Sequence, residues 1–130
     1  MRTETARKNR SGNALERAFQ RQLKRKYGNR VMFEAGLPGT PDALHLPTRT
    51  AIFLHGCFWH GCPQHYKAPR ANARFWAQKL RANKVRDATA QQTLQAMGYS
   101  VLVIWECEFR AKGIKRLVRV LSQTAARTSR

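Results

Sequence analysis

The sequence predicts a single α/β domain in which a small mixed sheet is flanked by helices. Its 130 residues suit one domain. Apolar residues spaced about four apart, typical of helices, surround shorter β-branched or alternating runs, typical of strands. In chain order these runs give helix, three strands, helix, strand and helix. Such an alternation is typical of a sheet that is covered on both faces.

The first predicted helix follows a basic, polar segment. The basic, polar composition of residues 1–12 indicates a mobile arm. Apolar side chains then recur four residues apart, at Leu15, Phe19 and Leu23. This spacing places them on one face of a helix over residues 14–27.

Three short strands are predicted next, at residues 31–34, 42–46 and 50–54. The third is the most apolar and is expected to be buried. His45 in the second strand is expected to face outward, as a polar residue of a half-exposed strand. Residues 56–70 predict a loop.

The second half of the chain predicts a long helix, a strand and a final helix. Residues 71–97 show helical spacing. Residues 100–105 form a continuous β-branched run, which predicts a central strand covered on both faces. The final helix is predicted over residues 112–123. We therefore expect a domain over residues 13–123 and a flexible basic tail at 124–130.

The charge of the chain predicts a polyanionic partner. Lysine and arginine total 25 and the acids total 7, giving a formal net charge of +18. Double-stranded DNA is the partner that such an excess favours. No apolar run reaches about 18 residues, and the N-terminus lacks the pattern of a secretion signal. With only three cysteines, we expect a cytoplasmic protein without a disulfide framework or membrane partner.

One segment concentrates unusual side chains. Residues 53–65 hold three of the four histidines and two of the three cysteines. Three thiols and one imidazole form a common tetrahedral set for structural zinc; they are Cys57, Cys62, His65 and Cys107. The alternative is that Cys107 is a buried free thiol and the others are ordinary loop residues.

A second candidate site combines carboxylates with histidines. A hairpin between the second and third strands would bring Asp42 near His55. Together with Glu16 and a backbone carbonyl, Asp42 offers the oxygen ligands that Mg²⁺ prefers. His55 and His60 are candidates for a general base toward water. The alternative is that Asp42 caps a turn and Glu16 is a solvated helix charge.

Aromatic residues lie beside the predicted metal loop. Phe58 and Trp59 are adjacent and cannot easily both face one core. Exposed aromatic rings on a basic surface can stack on bases or wedge between base steps. Trp76 is a further candidate, with core packing as the alternative. Trp105 is expected in the core because it ends an apolar strand.

These residues resemble the very short patch repair endonucleases, DNA mismatch endonucleases that act on T:G mispairs. The resemblance covers about residues 12–110. The shared motifs are the turn at 37–42, the segment 53–63, the helix positions 75–87 and the strand with its flank at 98–108. His-Gly-Cys-Phe-Trp-His, at 55–60, is the most specific of them.

The resemblance implies a restriction-endonuclease-like fold of the PD-(D/E)xK superfamily. It also implies Mg²⁺-dependent hydrolysis of the phosphodiester 5′ to the mispaired thymine, which nicks one strand. Asp42 would be the catalytic aspartate, with the Leu54 carbonyl as the second contact to Mg²⁺. His60 would act as the base toward water and His55 would position phosphate or water, while Glu16 matches the family's helix glutamate.

The remaining implications concern zinc, DNA and partners. The family's zinc ligands match Cys57, Cys62, His65 and Cys107, and its wedging aromatic residues match Phe58, Trp59 and Trp76. One departure from typical restriction enzymes is that residues 53–55 lack an acid and a lysine. We expect a monomer acting on DNA with a T:G mismatch, together with other repair proteins. Two alternatives stay open: a DNA-binding module without catalysis, and a nuclease of this fold acting on another DNA structure or sequence.

Overall fold

The computed structural model describes the backbone of residues 2–128 and the side chains of residues 14–127. Over these residues the helices are α1 (Arg2–Tyr27), α2 (Cys57–His60), α3 (Ala73–Ala96), α4 (Glu106–Lys112) and α5 (Lys115–Thr128). The strands are β1 (Val31–Met32), β2 (Ala43–His45), β3 (Thr50–His55) and β4 (Ser100–Trp105). No helix in this part of the chain is both long and apolar enough to cross a membrane.

The strands form one mixed sheet in the order β1-β2-β3-β4. The first three strands pair antiparallel, whereas β3 and β4 pair in parallel. Thr50 lies opposite Ser100 and His55 lies opposite Trp105. The carboxyl ends of β3 and β4 therefore meet at one edge of the sheet, where the antiparallel β2 begins. We call this edge the functional edge.

Helices cover both faces of the sheet, as the sequence predicts. On one face, side chains from α1, α4 and α5 pack against alternate residues of β3 and β4; the fully buried members include Phe19, Leu23, Ile52, Ile104 and Leu117. On the other face, Leu94 of α3 packs against Ala51 and Phe53. Successive strand residues point to opposite faces, so each strand contributes to both cores.

The prediction that residues 100–105 form a central strand is wrong. Among the described strands, β4 pairs with β3 alone and is an outermost strand of the sheet. Its apolar run has another physical reason. Leu102 and Ile104 belong to one core, while Val101 and Val103 pack against the other. The side chains of β4 are apolar because helices cover both faces of the sheet at this strand. They do not indicate that the strand has a neighbouring strand on each side.

The helices differ from the sequence expectation in two further ways. The loop predicted over residues 56–70 contains the short helix α2 at its start, and α4 precedes the predicted last helix. Helix α1 continues through residues 2–12, and α5 continues to Thr128, so helical backbone extends into the predicted arm and tail.

Two side chains occupy environments that the sequence does not predict. His45 is only 4% exposed, and its Nδ1 lies 2.7 Å from Thr48 Oγ1. Burial and the charge of Arg30 lower the pKa of His45, so the buried ring stays neutral. Trp105 is half-buried rather than a core residue, and its ring meets that of His55 edge-on at 5.4 Å.

Candidate functional site

Asp42 directly precedes β2 and lies at the functional edge of the sheet. Its N–H donates to the Ile52 carbonyl at 2.9 Å, and its Oδ2 accepts the Leu54 N–H at 2.6 Å. The preceding turn packs closely against α3: a side chain at Gly39, where φ is +76°, would place its Cβ 2.6 Å from the Ala90 Cβ. Glycine therefore permits both the left-handed turn and the close approach.

Glu16 projects from α1 toward Asp42, and both line a cavity of about 550 Å³. Burial raises the pKa of Asp42 to about 7; the Leu54 N–H opposes this rise, and the neighbouring Glu16 carboxyl adds to it. A buried carboxyl group with a raised pKa beside a second carboxyl offers a site where a hard divalent cation can replace the proton. The oxygen donors thus fit a hard divalent cation.

His55 and His60 stack in parallel at the functional edge. Their ring centroids lie 3.9 Å apart at an interplanar angle of 6°. His55 directly follows Leu54, whose N–H donates to the Asp42 carboxylate, so the histidine pair and Asp42 are linked through adjacent residues of β3. Burial, followed by the charge of His60, lowers the pKa of His55 to about 4, and this imidazole is neutral near pH 7.

Asp87 on α3 contacts the histidine pair, a role that its sequence position does not predict. Its Oδ2 lies 2.6 Å from His60 Nδ1. A carboxylate at this distance fixes the tautomer of the ring with the proton on Nδ1 and the lone pair on Nε2. One signal was available: Asp87 is the only acid in α3, which carries four lysines and arginines from Lys79 to Arg86 and Arg74 before them.

The cysteines and His65 converge on one point at the same edge. The ligand atoms of Cys57, Cys62, His65 and Cys107 all lie within 4.8 Å of one another, and the three thiols are free. The parallel register explains this convergence. His55 and Trp105 are partners in the sheet, and a cysteine follows each of them two residues later, at Cys57 and Cys107.

The distances fit a tetrahedral metal site. Zn–S bonds of about 2.3 Å at tetrahedral angles place two sulfurs about 3.8 Å apart, and Cys62 Sγ lies 3.7 Å from Cys107 Sγ. Cys62 Sγ also lies 3.9 Å from His65 Nδ1. At Cys62, burial would raise the pKa, but hydrogen bonds from the Gln64 and His65 amides, His65 Nδ1 and Cys107 lower it to about 6. The structure thus holds a Cys/His cluster capable of binding a metal.

The aromatic residues form one connected cluster, which we call the aromatic cluster: Phe58, Trp59 and Trp76, with Tyr66 and Phe75 at its margins. Phe58 meets Trp59 at 5.2 Å and Trp76 at 5.4 Å, each edge-on. Phe58 is 37% exposed and Phe75 is 58% exposed. Trp76 packs among these rings, which argues against the core alternative. Tyr66 and Phe75 were not assigned from the sequence.

Neighbouring elements hold α2 at both ends. Glu106 Oε1 accepts the Cys57 N–H at 3.2 Å, and Asn83 Nδ2 donates to the Trp59 carbonyl at 2.8 Å. Gly61 ends the helix in the left-handed conformation, with φ of +68°. A Cβ there would lie 2.8 Å from Leu80 Cδ1, so α2 packs directly on α3. The aromatic cluster therefore stands on a fixed base.

Comparison with known proteins identifies the family. A family described as DNA mismatch endonuclease Vsr matches residues 2–66. The Type II nicking enzyme V.XorIIP of Xanthomonas oryzae pv. oryzae is 36% identical over 106 residues, which cover 80% of this chain and 78% of that protein. The DNA mismatch endonuclease Vsr of Escherichia coli K12 is 40% identical over 80 residues, covering 61% of this chain and 51% of that protein.

A third relative matches over a similar length. The Type II nicking enzyme V.NaeI of Lentzea aerocolonigenes is 38% identical over 86 residues, covering 66% of this chain and 52% of that enzyme. The chain thus spans about half the length of two of these relatives and 78% of the Xanthomonas protein. The matched region contains the turn before β2, the histidine pair and the start of the metal-ligand segment. The chain belongs to the DNA mismatch endonuclease Vsr family.

Proposed function

We propose that this chain is a Mg²⁺-dependent endonuclease that nicks duplex DNA 5′ to the thymine of a T:G mispair. The observation that carries the proposal is the gathering of three groups at the functional edge: the Asp42 and Glu16 carboxyls, the His55–His60–Asp87 group and the aromatic cluster. Relatives whose names describe a mismatch endonuclease and nicking enzymes support it.

Mg²⁺ would be held by the Asp42 carboxylate and the Leu54 carbonyl, with Glu16 across the cavity. When bound, the ion supplies positive charge to the phosphodiester oxygens as negative charge develops on them. Asp42 is suited to this role because the Leu54 N–H fixes its Oδ2 at 2.6 Å. The Glu16 carboxyl, which is hydrogen-bonded to Asp42, would share the cation with it.

His60 would take the proton of the attacking water at Nε2. Asp87 holds the opposite side of the ring at 2.6 Å and stabilises the imidazolium that forms. His55, stacked on His60 at 3.9 Å, stays neutral and would position phosphate or water through a hydrogen bond. The two imidazoles thus take different parts because Asp87 is hydrogen-bonded to His60, whereas burial keeps His55 neutral.

Mismatch recognition would come from the aromatic cluster. Rings inserted at a base step must first unstack it, and unstacking a mispaired step costs less than unstacking a matched one. Phe58, Trp59 and Trp76 would form the wedge. A zinc ion at the Cys/His cluster would hold α2, which carries Phe58 and Trp59, against the end of β4.

The DNA backbone would be bound by exposed cations. Helix α3 presents several along its length: Arg74, Lys79, Arg81, Lys84 and Arg86, all of them exposed. Neutralising phosphates with such side chains releases counterions, which drives binding without sequence selectivity. A single chain carries all the proposed groups, which supports action as a monomer.

A nicking assay tests the proposal directly. Labelled duplexes carrying T:G, T:A or another mispair are incubated with the chain in Mg²⁺ or in EDTA. We expect a single cut 5′ to the thymine of the T:G duplex, in Mg²⁺ alone. Asp42→Asn should abolish the cut while keeping mismatch binding, and Glu34→Gln, in the same cavity, serves as the control.

Three other outcomes would contradict parts of the proposal. Equal cutting of T:G and T:A duplexes would reject mismatch specificity and favour a nuclease acting on another target. Full activity in Asp42→Asn would reject the assigned site. Mismatch binding without product in Mg²⁺ or Mn²⁺ would favour a DNA-binding module that lacks catalysis.

A further inference from the structure

Gln20 lies one helical turn after Glu16 on α1 and lines the same cavity as Asp42. Residues four apart share a helix face, so the amide of Gln20 and the carboxyl of Glu16 both point toward the turn before β2. The adjacent stripe of α1 is fixed, because Phe19 and Leu23 are fully buried. Gln20 therefore projects from a rigid position.

A hydrogen bond connects Gln20 to the backbone of Asp42. Gln20 Nε2 donates to the Asp42 carbonyl oxygen at 3.2 Å. The other backbone contacts of Asp42 come from β3, where Ile52 accepts its N–H and Leu54 donates to its carboxylate. Asp42 is thus held from the sheet on one side and from α1 on the other.

We propose that Gln20 is a positioning residue, which orients the peptide that follows Asp42 and so sets the affinity of the site for Mg²⁺. The inference rests on the proposed function, since it assigns Asp42 to the Mg²⁺ site. Rotation of this peptide would turn the Cα–Cβ bond of Asp42, and the short contact between its Oδ2 and the Leu54 N–H would lengthen. A site must hold its ligands within about 0.5 Å of the productive geometry to keep its activity.

The neutral amide suits this task. It donates to the carbonyl oxygen and leaves both carboxylate oxygens to Leu54 and the cation. A lysine or arginine at the same place would bring positive charge into the cavity and compete with Mg²⁺ for the carboxylates. Gln20 thus fixes the direction of Asp42 without weakening the cation site.

The matched pair of variants is Gln20→Met and Gln22→Met. Methionine keeps the length and the unbranched shape of glutamine but cannot donate a hydrogen bond. Gln22 lies on the same helix with an exposed side chain. Hydrogen exchange of the Leu54 amide, measured by NMR on the metal-free protein, should become faster in Gln20→Met and stay unchanged in Gln22→Met.

The second readout is the Mg²⁺ dependence of nicking on a T:G duplex. In Gln20→Met, we expect the Mg²⁺ concentration for half-maximal rate to rise about three- to tenfold, the factor that corresponds to one ordinary hydrogen bond. The rate at saturating Mg²⁺ and the affinity for the duplex without metal should stay near those of the unaltered chain. Gln22→Met should behave as the unaltered chain.

Unchanged Leu54 exchange together with unchanged Mg²⁺ dependence in Gln20→Met would overturn the inference. So would a lower melting temperature without any shift in the Mg²⁺ dependence, since that indicates only a structural role. If the unaltered chain nicks no duplex, the proposed function fails, and Mn²⁺ binding measured by electron paramagnetic resonance still decides the inference: weaker binding in Gln20→Met supports it, and equal binding rejects it.

Discussion

At the scale of single residues, hydrogen bonds decide which of two similar side chains can act. His55 and His60 are stacked imidazoles, and the Asp87 carboxylate is hydrogen-bonded to His60, at 2.6 Å. The sequence identified both histidines as candidates, but it did not predict that Asp87 contacts one of them. His60 and Asp87 are 27 residues apart, separated by a loop and the first half of α3. Helical periodicity shows which face of a helix a polar residue lies on, but not which other segment that face contacts.

Asp87→Asn should slow nicking of a T:G duplex by about 10²-fold or more, because an amide can hold the ring in the wrong tautomer and cannot stabilise the imidazolium. Binding of the mismatch should change little. The rate is measured in single turnover at saturating Mg²⁺. In a His60→Ala background the same substitution should have no further effect; a full additional loss there would mean that Asp87 acts independently of His60.

His45, at the opposite end of the sheet, should make the stability of the fold depend on pH. Burial and Arg30 lower its pKa below the usual 6.5, so the unfolded chain takes up a proton before the folded chain does. Its stability contribution is fully present above the unfolded pKa and is lost as the pH falls through the lowered folded pKa. The groups that face the ring are the Arg30 charge, the edge-on Tyr27 ring and the Thr48 hydroxyl.

Thermal unfolding of His45→Gln should therefore depend less on pH than that of the unaltered chain, between about pH 7.5 and 5.5. At the higher pH, the variant should melt at a lower temperature than the unaltered chain, in which the neutral ring and its bond to Thr48 are intact. The slope with pH is the deciding quantity. Parallel curves for the two proteins would show that His45 does not titrate on unfolding.

At the scale of elements, the parallel pairing of β3 with β4 assembles the metal-ligand set. The register sets His55 beside Trp105, and the chains that leave the two strands carry Cys57 and Cys107 to one point. The sequence predicted the four ligands from their chemistry. It could not predict α2, since four residues between two glycines carry too few apolar positions for a helical period.

We expect the Cys/His cluster to hold one zinc ion per chain. Cys107→Ala should lower this zinc content and destabilise the fold, because a closed structural site contributes to folding free energy directly. Zinc is measured by atomic absorption and stability by thermal unfolding. A strong zinc chelator should lower the melting temperature of the unaltered chain and have little effect on the variant. An equal effect of the chelator on both would place the metal elsewhere.

At the scale of the whole molecule, a net charge of +18 acts over a surface much larger than the site. Such a charge drives binding to any duplex and releases counterions, whereas unstacking by aromatic rings discriminates between duplexes. Under the proposed function, affinity and mismatch selectivity would therefore have separate physical origins. The two should respond differently to salt.

Between about 50 and 200 mM salt, the affinities for T:G and T:A duplexes should both fall steeply while their ratio changes little. Binding is measured by fluorescence anisotropy in EDTA, so that no strand is cut. Phe58→Ala should reduce the ratio and leave the salt slope as it is. A ratio that collapses toward one at higher salt would mean that selectivity is also electrostatic.

The sequence by itself determined the α/β class, the helices on both faces of the sheet, the family and the chemistry of its candidate ligands. These follow from local signals: apolar periods, ligand types and a dense motif within residues 55–60. Its strand 100–105 was predicted at the right place but with the wrong neighbours, because an apolar run reports burial above and below a strand and carries no information on lateral pairing.

Only the tertiary structure decided which side chains act together. It paired Asp87 with His60, set Gln20 against Asp42, joined Trp76 to Phe58 and buried His45. Each of these contacts links residues from different elements or across a tight turn. Their geometry depends on strand register and helix rotation, which the packing of the whole core fixes and which no local stretch of sequence encodes.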